Sequence, residues 1–222
     1  MKLYQIKLVN FLLLLENVIE YDKKTIDRGL TPQEVYELCS CIRETFCISY
    51  SIRKDNNLYI YLQNFHNLIS FIGKELRFLG PDERSQALLL YKALKIAREN
   101  QYLTEKRITE STPGIYVTKF LNDLDFIGYM KSKIRGLYYK LIDREKPIKE
   151  QLVRPNLVEI LEEINNNNLY LLAPHLENPN FSDLIKEMKN IKVLSLSKIK
   201  SIENKILYIN YSKDRQCEKG SL

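Results

Sequence analysis

The chain contains little glycine. Seven of its 222 residues are glycine, and none lies between Gly136 and Gly220. This is about half the usual share of roughly 7%. Enzymes that cradle a phosphate in a glycine-rich loop before a helix need several glycines close together. A site of that kind is therefore excluded from the last third of the chain.

Cysteine and histidine are also scarce, with four and two residues. Cys39 and Cys41 are two positions apart, so on a helix their side chains point about 200° away from each other. There is no Cys-x-x-Cys pair, and the two histidines, His66 and His175, are far apart in the sequence. We therefore expect no metal site, and reduced, mostly buried thiols.

Long hydrophobic runs are absent near the start of the chain. Phe11–Leu15 is the longest run there, and Glu16 ends it. Five residues cannot cross a bilayer core of about 30 Å, and no small-residue cleavage site follows. We interpret Lys2–Val9 and Phe11–Leu15 as extended segments, and expect a cytoplasmic protein with no membrane segment.

The composition is that of a folded protein with a basic surface. Hydrophobic residues make up 45% and charged residues 28%, which argues for one folded domain over residues 1–222. The net charge is +6 and the pI is about 9.0, a value that suggests an anionic partner such as nucleic acid. The 15 tyrosines could stack on bases, although most tyrosines serve the core or the surface.

Predicted strands alternate with predicted helices, which favours an α/β fold with a largely parallel sheet. Thr31 is predicted to cap a helix that has Pro32 at its first position. Further helices are predicted over Ile115–Lys131 and Pro147–Asn165. Ile202–Tyr211 fits either a strand, by its β-branched and aromatic content, or a helix, by its spacing.

Three short segments are more specific than the rest. They are Ser49–Asp55 (SYSIRKD), Phe71–Leu76 (FIGKEL) continued by Pro81–Arg84 (PDER), and Ser111–Val117 (STPGIYV). In this order and spacing they resemble the archaeal tRNA pseudouridine-54 N1-methyltransferase family (TrmY-like), which belongs to the SPOUT class of S-adenosylmethionine-dependent RNA methyltransferases. The resemblance covers residues 35–145 well and the last fifty residues faintly.

The resemblance implies a Rossmann-like SPOUT α/β fold with a C-terminal trefoil knot. It also implies a homodimer that binds S-adenosylmethionine in the knotted loops, holds tRNA across its subunits and methylates N1 of pseudouridine 54. The alternative is a catalytically impaired SPOUT paralogue that serves as an RNA-binding protein or a dimeric scaffold.

Methyl transfer to N1 of pseudouridine needs a group that takes or orients the N1 proton. Asp55 is our candidate for that role, and Arg53 could bind a phosphate or hold Asp55 ionised. The alternative for these two residues is a polar turn with a surface ion pair.

Candidate RNA-binding residues carry positive charge around the three segments: Arg84, Lys106, Arg107 and Lys119. Phosphate contacts would use such charges, although a solvated face is the common explanation. Asp82 and Glu83 beside Arg84 could simply complement the start of a helix.

The cofactor-binding residues implied by the resemblance are Leu141, Ala173, Leu196, Ser197, Ile199, Ser201 and Ile206. Two of them depart from the family pattern. Ala173 stands where a glycine is expected, and its methyl group could block a positive φ or the approach of the cofactor. Ile206 stands where the family usually has cysteine. These departures keep the non-catalytic alternative open.

Overall fold

The computed structural model describes residues 8–49, 51–142, 167–172, 179–188, 190–196 and 199–219. Its strands in that part of the chain are β1 (Val9–Leu15), β2 (Cys47–Ile48), β3 (Ser51–Ile52), β4 (Asn56–Leu62), β5 (Asn67–Ile72), β6 (Arg107–Thr112), β7 (Ile115–Lys119), β8 (Tyr138–Ile142), β9 (Asn168–Leu172) and β10 (Ile191–Ser195). Its α-helices are α1 (Lys23–Asp27), α2 (Gln33–Phe46), α3 (Glu83–Glu99), α4 (Asp123–Lys133), α5 (Pro179–Met188) and α6 (Ile202–Lys219).

Eight strands form one mixed sheet in the order β10-β8-β9-β1-β4-β5-β7-β6. The five strands from β10 to β4 are parallel, and β5, β7 and β6 extend them in antiparallel pairs. The predicted α/β class with a mostly parallel sheet is confirmed. Val9 pairs with Asn56 and with Asn168. We call the edge where these parallel strands begin the amino edge, and the opposite one the carboxyl edge.

Helices cover both faces of the sheet. Successive residues of β1 point to opposite faces, so Phe11 and Leu13 pack into a core with α2, α3 and α6, while Leu12 and Leu14 pack with α4 and α5. We call these the first and the second face. Because β1 is buried on both sides, its apolar run is continuous, as is usual for a central parallel strand. No helix in the described ranges is both long enough and apolar enough to cross a bilayer.

The helix predicted to be capped by Thr31 begins one residue later than expected. Pro32 has an extended backbone (φ −57°, ψ 148°), and it is the N-cap of α2, with no side-chain hydrogen bond. The prediction that Thr31 is the cap is therefore wrong. At α3 the acidic start does cap the helix, because Asp82 Oδ1 accepts a hydrogen bond of 2.8 Å from Ser85 N.

The predicted helix over Ile115–Lys131 is wrong in its first part. Ile115–Lys119 forms β7, which pairs with both β5 and β6, and α4 begins only at Asp123 after the cap Asn122. The β-branched and aromatic residues of this strand are favoured by two flanking strands. Gly114 makes the preceding turn with φ +84°, and a Cβ there would lie 2.4 Å from Leu76 N.

Ile202–Tyr211 is helical and belongs to α6. Ile206 and Ile209 are buried against the first face, which explains the helical spacing of the apolar residues. The structure thus decides between the two alternatives. Residues 2–7 and the predicted helix Pro147–Asn165 lie outside the described residues.

Candidate functional site

The segments that carry the family resemblance meet at the amino edge of the sheet. Gly73 N donates a hydrogen bond to Asn56 O (3.0 Å), directly after the turn of Arg53–Asp55. Ile72 N donates to Gly114 O (2.9 Å), and Arg77 N donates to Pro113 O (3.2 Å). Backbone contacts therefore join three segments that are separate in the sequence.

A cavity of about 620 Å³ opens where these segments meet. Its charged lining consists of Lys54, Lys74, Arg77, Glu75 and Glu110, a small excess of positive charge. Lys54 Nζ donates a hydrogen bond to Leu76 O (2.8 Å), which fixes one wall. A basic cavity of this kind suits an anionic ligand, and an RNA phosphate is one.

Asp55 forms an ion pair with Lys213 of α6. Lys213 Nζ lies 2.5 Å from Asp55 Oδ2 and also donates to Asn56 Oδ1 (3.0 Å). The Lys213 side chain is 3% exposed, and burial lowers its pKa. The Asp55 side chain is 32% exposed, so it is both held in place and open to solvent.

Arg53 pairs with Asp214 rather than with Asp55. Its two terminal nitrogens each lie 2.8 Å from an oxygen of Asp214, a bidentate contact. The suggested surface pair of Arg53 with Asp55 is therefore wrong, and each of the two residues is tied to α6 instead.

Buried amides complete the connection between α6 and the amino edge. Asn56 Nδ2 donates to Asn210 Oδ1 and to Thr45 O, both at 2.8 Å. Asn210 Nδ2 donates to Glu44 O at the end of α2 (2.7 Å). Together with Lys213 these bonds fix the turn that carries Asp55.

The structure distributes the predicted RNA-binding residues differently. Arg84 is exposed and pairs with Asp27 of α1 (2.8 Å). Lys106 lies over the rings of Phe120 and Tyr129, 5.4 and 5.3 Å from their centres. Arg107 is exposed at the start of the edge strand β6.

Lys119 does not lie on the surface. It is 6% exposed, and its Nζ donates to Phe65 O (2.7 Å). Burial lowers its pKa. Its charge is directed into the protein, so our proposal for the RNA surface leaves Lys119 out.

The cofactor candidates lie toward the carboxyl edge, as far as they are described. Leu141, Leu196 and Ile206 are buried in the first-face core, and Ile199 packs against it. Ile199 N donates to Leu196 O (2.8 Å), which makes a turn before α6. Ala173 and Ser197 lie outside the described residues.

Ser201 has a buried hydroxyl with no hydrogen-bond partner among the residues that the structure describes. Such a group is costly unless something binds it. Next to the apolar side chains of Leu196 and Ile199, it suits a ligand that combines an apolar ring with hydroxyl groups. The residues present therefore fit an adenosine-containing cofactor.

The two parts of the candidate site lie at separate positions along α6. Ser201 directly precedes this helix, whereas Lys213, which binds Asp55, lies eleven residues after its first residue, Ile202. At 1.5 Å per residue this is about 17 Å. Within one chain, the partner of Asp55 is therefore far from Ser201.

Several residues of this region were not found from the sequence. Lys74 belongs to the segment Phe71–Leu76, and Arg77 directly follows that segment. Their positive charge beside a family segment could have marked them as RNA-binding residues. No sequence pattern indicated a role for Lys213, because its partner Asp55 is distant in the chain. No group of metal-binding side chains occurs in the part of the chain that the structure describes, and Cys39 and Cys41 are free and buried.

Comparisons with known proteins address the family and the fold of the chain. The family model described as "Putative SAM-dependent RNA methyltransferase" matches residues 34–125. The crystal structure of Archaeoglobus fulgidus Nep1 bound to S-adenosylhomocysteine has a similar fold, with a TM-score of 0.53, 15% identity, and coverage of 94% of this chain and 97% of that one. The mixed α/β fold with a mostly parallel sheet is thus similar to that of this Nep1 structure.

Two curated relatives identify the family within this fold. The tRNA (pseudouridine(54)-N(1))-methyltransferase of Methanocaldococcus jannaschii is 30% identical over 195 residues, which are 82% of this chain and 84% of that protein. The Thermococcus kodakarensis protein of the same name is 38% identical over 117 residues, 51% of this chain and 57% of its own length. The chain belongs to the tRNA (pseudouridine(54)-N(1))-methyltransferase family.

Proposed function

We propose that this protein is an S-adenosylmethionine-dependent tRNA methyltransferase that acts on N1 of pseudouridine 54. The observation that carries the proposal is the meeting of the three family segments around one basic cavity, beside a partly exposed carboxylate. The names of the relatives support the same reaction.

The RNA would bind along the amino edge. Lys54, Lys74 and Arg77 offer charge around the cavity. Arg107 pairs with Lys119 at the carboxyl edge, and Lys106 directly precedes Arg107, so these two residues would contact an RNA that also extends over that edge. Phosphate contacts of this kind fix the orientation of an RNA without reading its bases. Arg84 adds charge at the start of α3, where it would have to leave Asp27 to bind a phosphate.

Asp55 is the residue proposed to handle the proton of N1. Its carboxylate would accept the N1 proton, or orient the N1–H group, as N1 bonds to the methyl carbon and the bond from that carbon to the donor sulfur breaks. Lys213 and Asn56 fix its position, so less rotational freedom is lost when the substrate binds. Arg53, through Asp214, holds the same turn and is proposed as a positioning residue.

When bound, S-adenosylmethionine supplies an electrophilic methyl group on a positively charged sulfur. Leu196, Ile199 and Ile206 would surround its apolar part, and the unpartnered hydroxyl of Ser201 would bond a polar part. Leu141, Ala173 and Ser197, which the family resemblance implies as cofactor-binding residues, are proposed to contact the cofactor as well.

We propose that one active site is built from two copies of the chain. About 17 Å of helix separates Ser201 from the partner of Asp55, so a second copy is needed to supply Asp55 to the cofactor loops. Leu207 and Tyr211 are half-exposed one turn apart on α6 and offer an apolar contact for a homodimer.

The finer features of the fold are part of the same proposal. We propose one domain over residues 1–222, since β1 pairs with β4 from the first half and β9 from the second. A C-terminal trefoil knot would follow from membership of the SPOUT class. A tRNA substrate would imply a cytoplasmic location.

Methyl transfer to defined transcripts tests the function. With S-adenosylmethionine, a tRNA carrying pseudouridine at position 54 should gain one methyl group, and the same tRNA with uridine there should not. Equal methylation of both, or of neither, would overturn the proposed reaction. Binding of tRNA without binding of S-adenosylhomocysteine in calorimetry would instead support the non-catalytic alternative.

A further inference from the structure

A second cavity, of about 380 Å³, opens on the second face of the sheet beside the basic one. Its floor includes a row of residues in register across three strands: Tyr59 on β4 pairs with Ser70 on β5, and Ser70 pairs with Tyr116 on β7. Tyr129 and Lys133 of α4 form one side. The volume is within the usual range for small-molecule sites, roughly 300–1,000 Å³.

The floor of this cavity contains an unsatisfied hydroxyl group. Ser70 is 3% exposed, and in the described part of the chain its Oγ has no hydrogen-bond partner. A buried hydroxyl without a partner is unfavourable, so its presence in a cavity lining points to a ligand that supplies the missing bond. Ser111 also has a buried, unpartnered hydroxyl, but it lines neither cavity.

The polar wall of the cavity is held rigidly. Gly73 N donates to Asn57 Oδ1 (3.2 Å), Asn57 Nδ2 donates to Asn10 Oδ1 (3.0 Å), and Asn10 Nδ2 donates to Asn167 Oδ1 (2.9 Å). Because these amides already bond one another, they are fixed before any ligand arrives. A preorganised polar wall loses little conformational freedom when a ligand binds.

Positive charge and an aromatic ring lie at the side of the cavity. The ammonium group of Lys133, which lines the cavity, is 5.6 Å from the centre of the Tyr129 ring. Lys106 is outside the lining, and its ammonium group is 5.3 Å from the centre of the same ring. Glu75, the acidic residue of the lining, is engaged by the hydroxyl of Tyr116 (2.7 Å). Aromatic faces with nearby cations are the usual surroundings of unstacked RNA bases.

We propose that this cavity binds one unstacked base of the bound RNA. The hydroxyl of Ser70 bonds a polar edge of the base, Tyr129 contacts its ring, and Lys106 and Lys133 meet the adjoining phosphates. This inference depends on the proposed function only in taking RNA as the ligand.

Binding of a T-arm hairpin transcript, measured without any methyl donor, tests the inference. The Ser70→Ala variant should bind the hairpin about tenfold more weakly, the effect of one lost hydrogen bond to a buried group. Its midpoint of thermal unfolding should be unchanged or higher, because the hydroxyl has no partner among the described residues. The matched control, Ser111→Ala, should bind the hairpin as the wild type does. Unchanged hairpin affinity in Ser70→Ala would overturn the inference.

Free uridine 5′-monophosphate separates an RNA site from a nucleotide site. We expect the wild type to bind it far more weakly than the hairpin, since the phosphate contacts of the adjoining RNA are missing. Equal affinity for both would overturn the assignment to RNA. The two proposals can fail separately. If the protein does not methylate tRNA but Ser70→Ala still weakens hairpin binding, the proposed function is wrong and the base-binding cavity is supported.

Discussion

The ammonium group of Lys213 lies 2.5 Å from the carboxylate of Asp55 and is almost completely buried. This pair joins the last helix of the described chain to the turn that precedes β4. The carboxylate of Asp55 remains partly open to solvent. Asp55 therefore binds α6 and also faces the side on which RNA is proposed to bind.

Asp55→Asn should lower the free energy of unfolding by about 2 kcal/mol, because it leaves the buried charge of Lys213 without its partner. Urea unfolding followed by circular dichroism measures this change. The double variant Asp55→Asn/Lys213→Met removes both charges and should recover most of the loss. If the single variant were as stable as the wild type, the pair would contribute nothing to the fold.

The pH dependence of stability should reveal the buried lysine. Burial lowers the pKa of Lys213, so between this pKa and its ordinary value near 10.4 the unfolded chain binds more protons than the folded chain. Over that window the wild type should gain stability with rising pH relative to Lys213→Met, by at most about 1.4 kcal/mol per pH unit. Parallel urea titrations between pH 7 and pH 10 would measure the difference, and a constant difference would contradict the direction given for this pKa.

Removing the charge of Lys74 should weaken tRNA binding, whereas removing the charge of Lys119 should not. Lys74→Gln should weaken tRNA binding and reduce the slope of log affinity against log salt by about 0.7 to 0.9, the effect of one lost phosphate contact. Lys119→Met should leave the affinity unchanged, because this ammonium is buried against Phe65 O. Filter binding across a salt series distinguishes the two. A loss of affinity in the Lys119 variant would place that residue in the RNA surface after all.

Ser201→Ala should weaken binding of S-adenosylhomocysteine about tenfold, since the unpartnered hydroxyl is proposed to bond the cofactor. The midpoint of thermal unfolding without ligand should not fall. Isothermal titration calorimetry measures the affinity, with Ser111→Ala as the control for loss of a buried hydroxyl elsewhere. An unchanged dissociation constant would remove Ser201 from the cofactor site.

The fold class was accessible from the sequence where local patterns agree with the sheet. Phe11–Leu15 is a continuous apolar run because β1 lies in the middle of the sheet, covered on both faces. Ile115–Lys119 was misjudged, since only its two strand neighbours show that the segment is extended. Ile202–Tyr211 forms a helix because the apolar residues on one face of that segment pack into the core beside the sheet.

The candidate site was only partly accessible from the sequence. The resemblance named Arg53 and Asp55, but their partners Asp214 and Lys213 belong to a distant helix, and no local pattern indicates such contacts. Charge alone could not separate Lys119, which points inward, from Lys74, which lines the cavity. Nor could the sequence reveal that Asp55 binds α6 at Lys213, eleven residues after the helix start that Ser201 precedes.

Complementation between two inactive variants tests the two-copy active site most directly. One variant, Asp55→Asn/Lys213→Met, lacks the proposed proton acceptor, and the other, Ile199→Arg, is expected not to bind S-adenosylhomocysteine. Each alone should fail to methylate a tRNA with pseudouridine at position 54. After equal amounts are unfolded and refolded together, half of the dimers are mixed, and each mixed dimer has one intact site. The mixture should therefore regain about a quarter of the wild-type rate. No recovery, with mixed dimers present, would contradict an active site shared between two copies.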